Sequence, residues 1–325
     1  MPGTLMSAEM AQQPEVMQRL IARAAEDAAA IRKIEPSPLA GTVMLARGSS
    51  DNAAVFGRYL AEMVIGRPVG LAAPSLYTKY HVSVDWDGYL VIALSQSGAT
   101  PEILTTAAAM RDQGATVAGI TNEPASPMRD AVNVLLSTDA GPERAVPATK
   151  TMTAQMLLLA TSLGVTGLDA LPEAVQGILD DDTTEPIADQ WRDIDRLIVT
   201  GRGLAYAAAL EIALKIKETT GILAEGFSTA DLRHGPIATA FAGAPVLLVD
   251  AGGPAAEDTL ELGEMLAGRE DSASVVMIKE DERLPEPARA IGAVVRGQQL
   301  ARALALAKGA DPDAPVGLTK VTPTT

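Results

Sequence analysis

The sequence contains no cysteine and few histidine or aromatic side chains. It has 325 residues, of which two are histidines, and aromatic residues make up 3%. Without cysteine there can be no disulfide, no thiolate nucleophile and no zinc–cysteine site. The two histidines, His81 and His234, are far apart in the chain, which disfavours a histidine-rich metal site. We therefore expect no metal and no cofactor, and a core of Ala, Leu, Val, Ile and Met.

Positive charge and long apolar runs are also scarce. Lysine and arginine total 26 against 41 acidic residues, a formal net charge of −15. This balance argues against nucleic acid or an anionic membrane as a partner, and it means that an anionic ligand must be held by local donors. No apolar run reaches membrane-spanning length, and the first ten residues lack the basic and apolar regions of a signal peptide. We therefore expect a cytoplasmic protein.

The pattern of apolar residues predicts an α/β protein with two domains. The length suits about two domains. Short strand-like runs alternate with helical segments from residue 42, which predicts parallel sheets covered by helices on both faces. The order repeats after an acidic linker at 180–186, as in an internal duplication. We predict an N-terminal helical segment at 1–35 that forms one helix over about 7–34, a first domain at 36–180 whose first helix begins near residue 52, and a second domain at 187–325.

One stretch, 90–103 (LVIALSQSGATPEI), organises the first domain. A buried strand at 90–94 leads into the hydroxyl-rich loop 95–100, and Thr100 and Pro101 begin a helix. Such a helix N-terminus, with nearby hydroxyls and the flexible Gly98, suits a phosphate. The alternative is an ordinary strand-to-helix turn. The corresponding loop of the second domain, 250–254, has an acid and no hydroxyl, so we predict one phosphate site per chain.

Charged residues in the second half are candidates for catalysis. The apolar helix predicted at 204–220 carries Glu211, Lys215 and Glu218 at helical spacing, which favours either a salt-bridged surface or a buried catalytic base. His234, before Gly-Pro, is either a proton shuttle or a structural histidine. Lys320 ends a tail rich in Gly and Pro that we expect to be extended; an exposed terminal lysine by default has no role.

Together these stretches resemble the SIS (sugar isomerase) family, and within it the isomerase half of glutamine–fructose-6-phosphate aminotransferase. The resemblance covers almost the whole chain in order. It rests on the following motifs: RGSS at 47–50, SQSGAT at 95–100, TKTMTAQ at 149–155, GRGLAYAAALEIALKIKET at 201–219, AEGFSTADLRHGP at 224–236, and KGADPDAP and LTKVT in the tail.

The resemblance implies two flavodoxin-like SIS domains, an obligate homodimer, and roles for individual residues. Glu218 would be the base that moves a proton between C1 and C2, with Lys215 beside it. His234 would help to open the sugar ring in the site of the neighbouring subunit, and Lys320 would close over the substrate. The residues implied in binding the sugar phosphate are Ser50, Ser95, Gln96, Ser97, Thr100 and, in the segment before Thr-Lys, Ala148.

Three departures from the aminotransferase pattern bear on the substrate. Ala148 stands where the aminotransferase usually has serine, and Leu76 stands where the family usually has an acid. The sequence has neither a glutaminase domain nor a cysteine, so we expect glutamine not to be the nitrogen donor. The best hypothesis is an isomerase and deaminase that converts glucosamine 6-phosphate to fructose 6-phosphate and ammonia.

Two alternatives stay open. One is a deglycase or isomerase for another phosphosugar, such as fructosamine 6-phosphate or galactosamine 6-phosphate. The other is a non-catalytic sensor that binds a sugar phosphate and regulates a partner. The joint presence of Glu218, His234 and Lys320 favours catalysis, because a sensor needs only the phosphate loop.

Overall fold

The computed structural model describes residues 1–269 and 274–320, which form two compact units. One unit, here the first-sheet unit, contains Glu15–Pro142 and Lys150–Thr166. The other, the second-sheet unit, contains Met1–Pro14, Glu143–Thr149 and Gly167–Lys320. The domain boundaries given above stay a prediction.

Helices and strands alternate along most of the described chain. The strands are β1 (Gly41–Leu45), β2 (Val69–Leu71), β3 (Tyr89–Leu94), β4 (Thr116–Thr121), β5 (Val134–Ser137), β6 (Arg196–Gly201), β7 (Leu223–Ser228), β8 (Val246–Asp250) and β9 (Val275–Lys279). The helices are α1 (Thr4–Met10), α2 (Gln13–Ala22), α3 (Ala24–Ile34), α4 (Ser49–Ile65), α5 (Ser75–Thr78), α6 (Pro101–Asp112), α7 (Met128–Ala131), α8 (Lys150–Ser162), α9 (Leu171–Leu179), α10 (Thr184–Gln190), α11 (Leu204–Thr220), α12 (Thr229–Arg233), α13 (Ile237–Phe241), α14 (Ala256–Ala267) and α15 (Glu286–Ala307).

Each unit is built on a parallel sheet, which confirms the predicted α/β class. The first sheet has the order β2-β1-β3-β4-β5 and the second the order β7-β6-β8-β9, and all the pairings are parallel. Residues of β1, β3 and β8 are buried almost throughout. Such strands read as continuous apolar runs because helices cover both faces of a parallel sheet.

The two sheets repeat one local design. In each, the first strand leads through a glycine into a helix of 17 residues, α4 and α11. The glycines before these helices, Gly48 and Gly203, have nearly the same backbone angles, φ 60° and ψ −136° against φ 64° and ψ −131°. Both helices end at a left-handed glycine, Gly66 and Gly221. A glycine is needed at all four positions because other residues rarely adopt a positive φ.

The N-terminal helical segment differs from the prediction of one helix over 7–34. Three helices occupy it. Pro14 cannot continue a helix from upstream, so α1 ends before it and α2 begins anew with Pro14 in its first turn. A second interruption falls at Arg23, whose backbone leaves the helical region at φ −107° and ψ 7°. Helix α4 begins at Ser49 rather than near the predicted residue 52, which places Ser50 in its first turn.

The tail after α15 has no helix or strand up to Lys320, as predicted. It is attached to the second-sheet unit by side chains. Asp313 accepts hydrogen bonds from the backbone N–H groups of Leu5 and Met6 at 3.0 and 2.8 Å, and its own carbonyl accepts one from Val146 N–H at 3.0 Å. The remainder of the LTKVT motif, residues 321 and 322, lies outside the described residues. Across the described part of the chain, we find no helix with the length and apolar character needed to cross a membrane.

Candidate active site

The loop after β3 lies where the order of the first sheet reverses. Strand β1 pairs with β2 on one side and with β3 on the other. In a doubly wound fold, the segments that follow β1 and β3 leave the sheet toward opposite faces. Ligands of such folds bind at the carboxyl ends of these two strands. Ser50 follows β1, in the first turn of α4, and the loop Ser95–Thr100 follows β3. The structure therefore places both predicted phosphate-binding segments at the switch point.

Backbone hydrogen bonds fix this loop before any ligand binds. Gln96 O accepts hydrogen bonds from Asn122 N–H at 3.0 Å and from the Thr121 hydroxyl at 3.2 Å. Gly98 O accepts from Met128 N–H at 3.0 Å, and Gly98 N–H donates to Ser95 O at 3.1 Å. The loop is thus anchored to β4 and to the segment after it. Its remaining donors are already held in place, so that binding a ligand costs little conformational entropy in the loop.

Those remaining donors suit an anion. The backbone N–H groups of Gln96, Ser97 and Thr100 donate to no acceptor within residues 1–269 and 274–320. Thr100 occupies the predicted N-cap position of α6, but its hydroxyl lies 3.2 Å from Ser95 Oγ and does not cap the helix. The first turn of α6 thus keeps its own N–H groups available. Free amides, hydroxyls and a helix N-terminus together form an anion-binding arrangement.

Charged side chains lie on the segments that flank the loop. The Arg47 guanidinium donates to both oxygens of Glu102, in the first turn of α6, at 2.9 and 3.2 Å. Burial raises the pKa of Asp51, beside Ser50, although the Arg47 charge lowers it in part. The Arg47 cation is therefore engaged by a carboxylate, and a phosphate here depends on amides and hydroxyls.

We expect Gly98→Ala to destabilise the protein by about 2–5 kcal/mol, measured by urea denaturation. Gly98 has φ +57°, which costs another residue about 1–2 kcal/mol. A Cβ at this position would overlap Ser126 Oγ and lie 2.8 Å from Thr121 Oγ1, and such overpacking costs about 1–3 kcal/mol.

Gly66→Ala is the matched control for this variant. Gly66 has φ +67°, but a Cβ added there would meet nothing within 4 Å, so its substitution is expected to cost about 1–2 kcal/mol from the backbone alone. Ser126→Gly should recover part of the stability lost in Gly98→Ala. Equal losses in the two glycine variants would contradict the proposed close packing of the loop.

The equivalent switch point of the second sheet already holds a carboxylate. Glu286, at the start of α15, accepts a hydrogen bond from the backbone N–H of Leu204, the first residue of α11; burial raises its pKa, and this hydrogen bond and Arg289 lower it. A side chain at Gly253 would overlap the Glu286 carboxylate, and one at Gly252 would overlap the Arg289 guanidinium. An internal acid thus occupies the position that an anion would take, in keeping with the prediction of one phosphate site per chain.

Helix α11 carries a buried cluster of ions. Lys215 and Glu211 have side chains that are 1% and 0% exposed, and their charged atoms lie 3.5 Å apart. Lys215 also donates a close hydrogen bond to Glu218, whose side chain is 23% exposed. Burial alone lowers the pKa of Lys215, but the charges of Glu211, Glu218 and Glu143 outweigh it and raise the pKa above its ordinary value. Lys215 is therefore an ammonium, and Glu218 is the member of the cluster that solvent or a ligand can reach.

Lys320 is held by a carboxylate that the sequence did not single out. Its Nζ lies 2.7 Å from Oε2 of Glu143, whose side chain is 0% exposed. Glu143 begins the short segment that also contains Ala148 and Thr149. No local pattern marks Glu143 in the sequence, because its partner lies 177 residues away in the chain.

The structure brings some of the predicted catalytic residues together and leaves one apart. Lys215 and Glu218 are paired, and both Lys215 and Lys320 interact with Glu143. His234 immediately follows α12 as its C-cap residue, is exposed, and has no side-chain hydrogen bond or ion pair with any residue that the structure describes. Within the same described residues, no three His, Asp or Glu side chains are arranged to hold a metal ion.

The fold and these two regions define a duplicated, doubly wound α/β protein that has a loop with free hydrogen-bond donors at one switch point and a buried ion cluster. A family model described as the SIS domain matches residues 42–163 and 191–283. The chain belongs to this family.

Individual relatives agree with this assignment. The chain is 33% identical over 298 residues to a glutamine–fructose-6-phosphate aminotransferase (isomerizing) from Methanothermobacter thermautotrophicus, covering 85% of this chain and 50% of the relative. The chain thus spans about half the length of the curated relatives that it matches.

Solved structures give a similar picture. A Silicibacter pomeroyi protein, described provisionally as a phosphosugar isomerase, has a TM-score of 0.84 and 31% identity, covering 95% of this chain and all of that one. The C-terminal domain of glucosamine-fructose-6-phosphate aminotransferase from Francisella tularensis has a TM-score of 0.83 and 26% identity, covering 96% of this chain and 98% of that one. The predicted fold of two SIS domains is thereby confirmed.

Proposed function

We propose that this chain is a phosphosugar isomerase that acts on an amino-sugar phosphate and releases ammonia from it. The preferred substrate is glucosamine 6-phosphate, and the products are fructose 6-phosphate and ammonia. The observation that carries the proposal is the Glu211–Lys215–Glu218 cluster, in which a buried ammonium adjoins one reachable carboxylate. Binding a sugar phosphate does not require such a cluster. Stability does not account for it either, because the cost of desolvating a buried ion pair offsets most of its attraction.

The phosphate is held first. Ser50, Ser95, Ser97 and Thr100 supply hydroxyls, Gln96 an amide, and the loop its free backbone N–H groups. Ala148, which stands where the aminotransferase usually has serine, supplies a looser contact to the sugar. These interactions bind substrate and transition state alike, and they fix the position of the reacting carbons.

The proton transfer follows. In the open-chain sugar, Glu218 takes the proton from C2, next to the C1 aldehyde, and Lys215 stabilises the negative charge that develops on O1. O1 gains a proton from solvent, and Glu218 returns to C1 the proton that it took from C2. C2 is then an iminium, which water hydrolyses to a ketone with loss of ammonia. Lys320 closes over the bound sugar.

We also propose that the protein acts as a homodimer and that His234 serves the site of the partner subunit. His234 is exposed and makes no side-chain hydrogen bond among the residues described in its own chain. An exposed imidazole that no other side chain occupies is available to donate and accept protons at a ligand, as opening of a sugar ring requires.

The purified chain should release ammonia and fructose 6-phosphate from glucosamine 6-phosphate in a stoichiometric ratio, without added glutamine. Fructosamine 6-phosphate and galactosamine 6-phosphate, assayed in parallel, distinguish the deaminase from a deglycase or another isomerase. A phosphosugar that raises the melting temperature but is never converted would contradict the proposal and favour a sensor.

A further inference from the structure

Glu143 is a buried carboxylate to which the mechanism above assigns no role. It lies in the loop before α8, and its side chain is 0% exposed. Its Oε1 accepts hydrogen bonds from the backbone N–H and the hydroxyl of Thr149 at 3.0 and 3.4 Å. Its Oε2 faces the ammonium of Lys320 at 2.7 Å. One oxygen thus secures the loop, and the other holds the lysine at the end of the described tail.

The tail is largely exposed just before Lys320. Residues 314 and 316–319 are exposed, and Val316 is fully so. Lys320 is half-buried again, at the point where it contacts Glu143. The ion pair therefore marks the place where an exposed segment returns to the body of the second-sheet unit.

The Glu143 carboxylate also affects Lys215, the lysine of the buried cluster on α11. The charge of Glu143 is one of those that raise the pKa of the fully buried Lys215. Glu143 is also bordered by Glu9, which accepts hydrogen bonds from the backbone N–H groups of Arg144 and Ala145 and so fixes the loop from its other side. A charge held this firmly offers Lys320 one defined position rather than a range of them.

We propose that Glu143 is the positioning residue for Lys320: it holds the lysine ammonium, and with it the last described residue of the tail, in the place from which Lys320 acts on the substrate. The role assigned to Lys320 rests on the proposed function, but the anchoring of the tail by Glu143 does not. Glu143 touches no reacting atom in this scheme and acts through Lys320.

Substitution of Glu143 by glutamine separates the two contacts. The amide oxygen of the new side chain can still accept from Thr149, whereas its NH₂ group faces the ammonium of Lys320 as one donor against another. Substitution by aspartate keeps the charge and shortens the side chain by one methylene. We therefore expect Glu143→Gln to release Lys320 and Glu143→Asp to retain part of its attachment.

The first experiment measures the attachment without using activity. The ligand-free protein is treated with an amine-acylating reagent, and the labelling rate of Lys320 is followed by mass spectrometry. Loss of a charge-assisted hydrogen bond should raise that rate roughly 10-fold in Glu143→Gln, with a smaller rise in Glu143→Asp. The matched control is Glu282→Gln, because Glu282 pairs with Lys279 at 2.6 Å on the exposed surface. The control should leave the labelling of Lys320 unchanged.

The second experiment is a double-mutant cycle on kcat for glucosamine 6-phosphate. If Glu143 acts through Lys320, Glu143→Gln should lower kcat nearly as much as Lys320→Met, and the double variant should be no worse than Lys320→Met alone. Multiplicative losses of kcat, or a labelling rate of Lys320 that does not change in Glu143→Gln, would overturn the proposal. If the wild-type protein shows no turnover, the proposed function fails, and the labelling rates still decide the role of Glu143.

Discussion

Glu218→Gln is expected to lower kcat for conversion of glucosamine 6-phosphate by about 10²- to 10⁴-fold, the usual contribution of a general base. The amide oxygen can still accept the hydrogen bond from Lys215, so the cluster keeps its geometry while the side chain loses the ability to take a proton. KM should change little, because the phosphate is held by other residues. The coupled assay of fructose 6-phosphate formation measures both constants.

Glu225→Gln is the control for that variant. Glu225 lies on β7 in the same unit, is exposed, and undergoes the same change of a carboxylate to an amide. Its kcat should equal that of the wild-type protein. If Glu218→Gln kept wild-type kcat, the catalytic base would have to be another residue and the proposed mechanism would be wrong.

Lys215→Met is expected to lower the free energy of unfolding by about 3–5 kcal/mol, as removal of one partner from a buried ion pair does. The Glu211 carboxylate, 0% exposed, would lose the ammonium that faces it at 3.5 Å, and Glu218 would lose its hydrogen-bond donor. Methionine fills a similar volume, so the loss would come from charge rather than from a cavity. Urea denaturation at neutral pH measures it.

A double variant that also neutralises Glu211 provides the control. Lys215→Met combined with Glu211→Gln removes the buried negative charge as well and should recover part of the stability lost in the single variant. A loss below about 1 kcal/mol in Lys215→Met would be typical of a solvent-exposed pair. That result would contradict the burial of the cluster.

Elements with strong local signals can be predicted from the sequence. The predicted bounds of α11 are correct because glycines stand immediately before and after a continuous apolar pattern. The strand at residues 90–94 and the helix that starts at Pro101 are predictable for the same kind of reason. The prediction of a single N-terminal helix is wrong, because the apolar periodicity continues across Pro14 and does not reveal the restart.

The residues of the candidate site likewise differ in how well the sequence predicts them. The loop Ser95–Thr100 and the pair of Lys215 with Glu218 each lie within one segment, so their spacing in the sequence already indicates their geometry. Glu143 escapes sequence reasoning because its role depends on Lys320, brought to it by the return of the tail. Likewise, Glu286 closes the second switch point from a helix remote in the sequence, which no motif near α11 could reveal.

The most direct test of the proposed proton transfer between C1 and C2 measures hydrogen exchange at C1. Fructose 6-phosphate is incubated with the wild-type protein in D₂O, and the hydrogens at C1 are followed by NMR. An isomerase whose carboxylate exchanges protons with solvent between turnovers should replace one C1 hydrogen by deuterium, stereospecifically and without any nitrogen donor. If both C1 hydrogens remained protium after prolonged incubation with a protein that binds the sugar phosphate, the claim that this chain moves a proton between C1 and C2 would be contradicted.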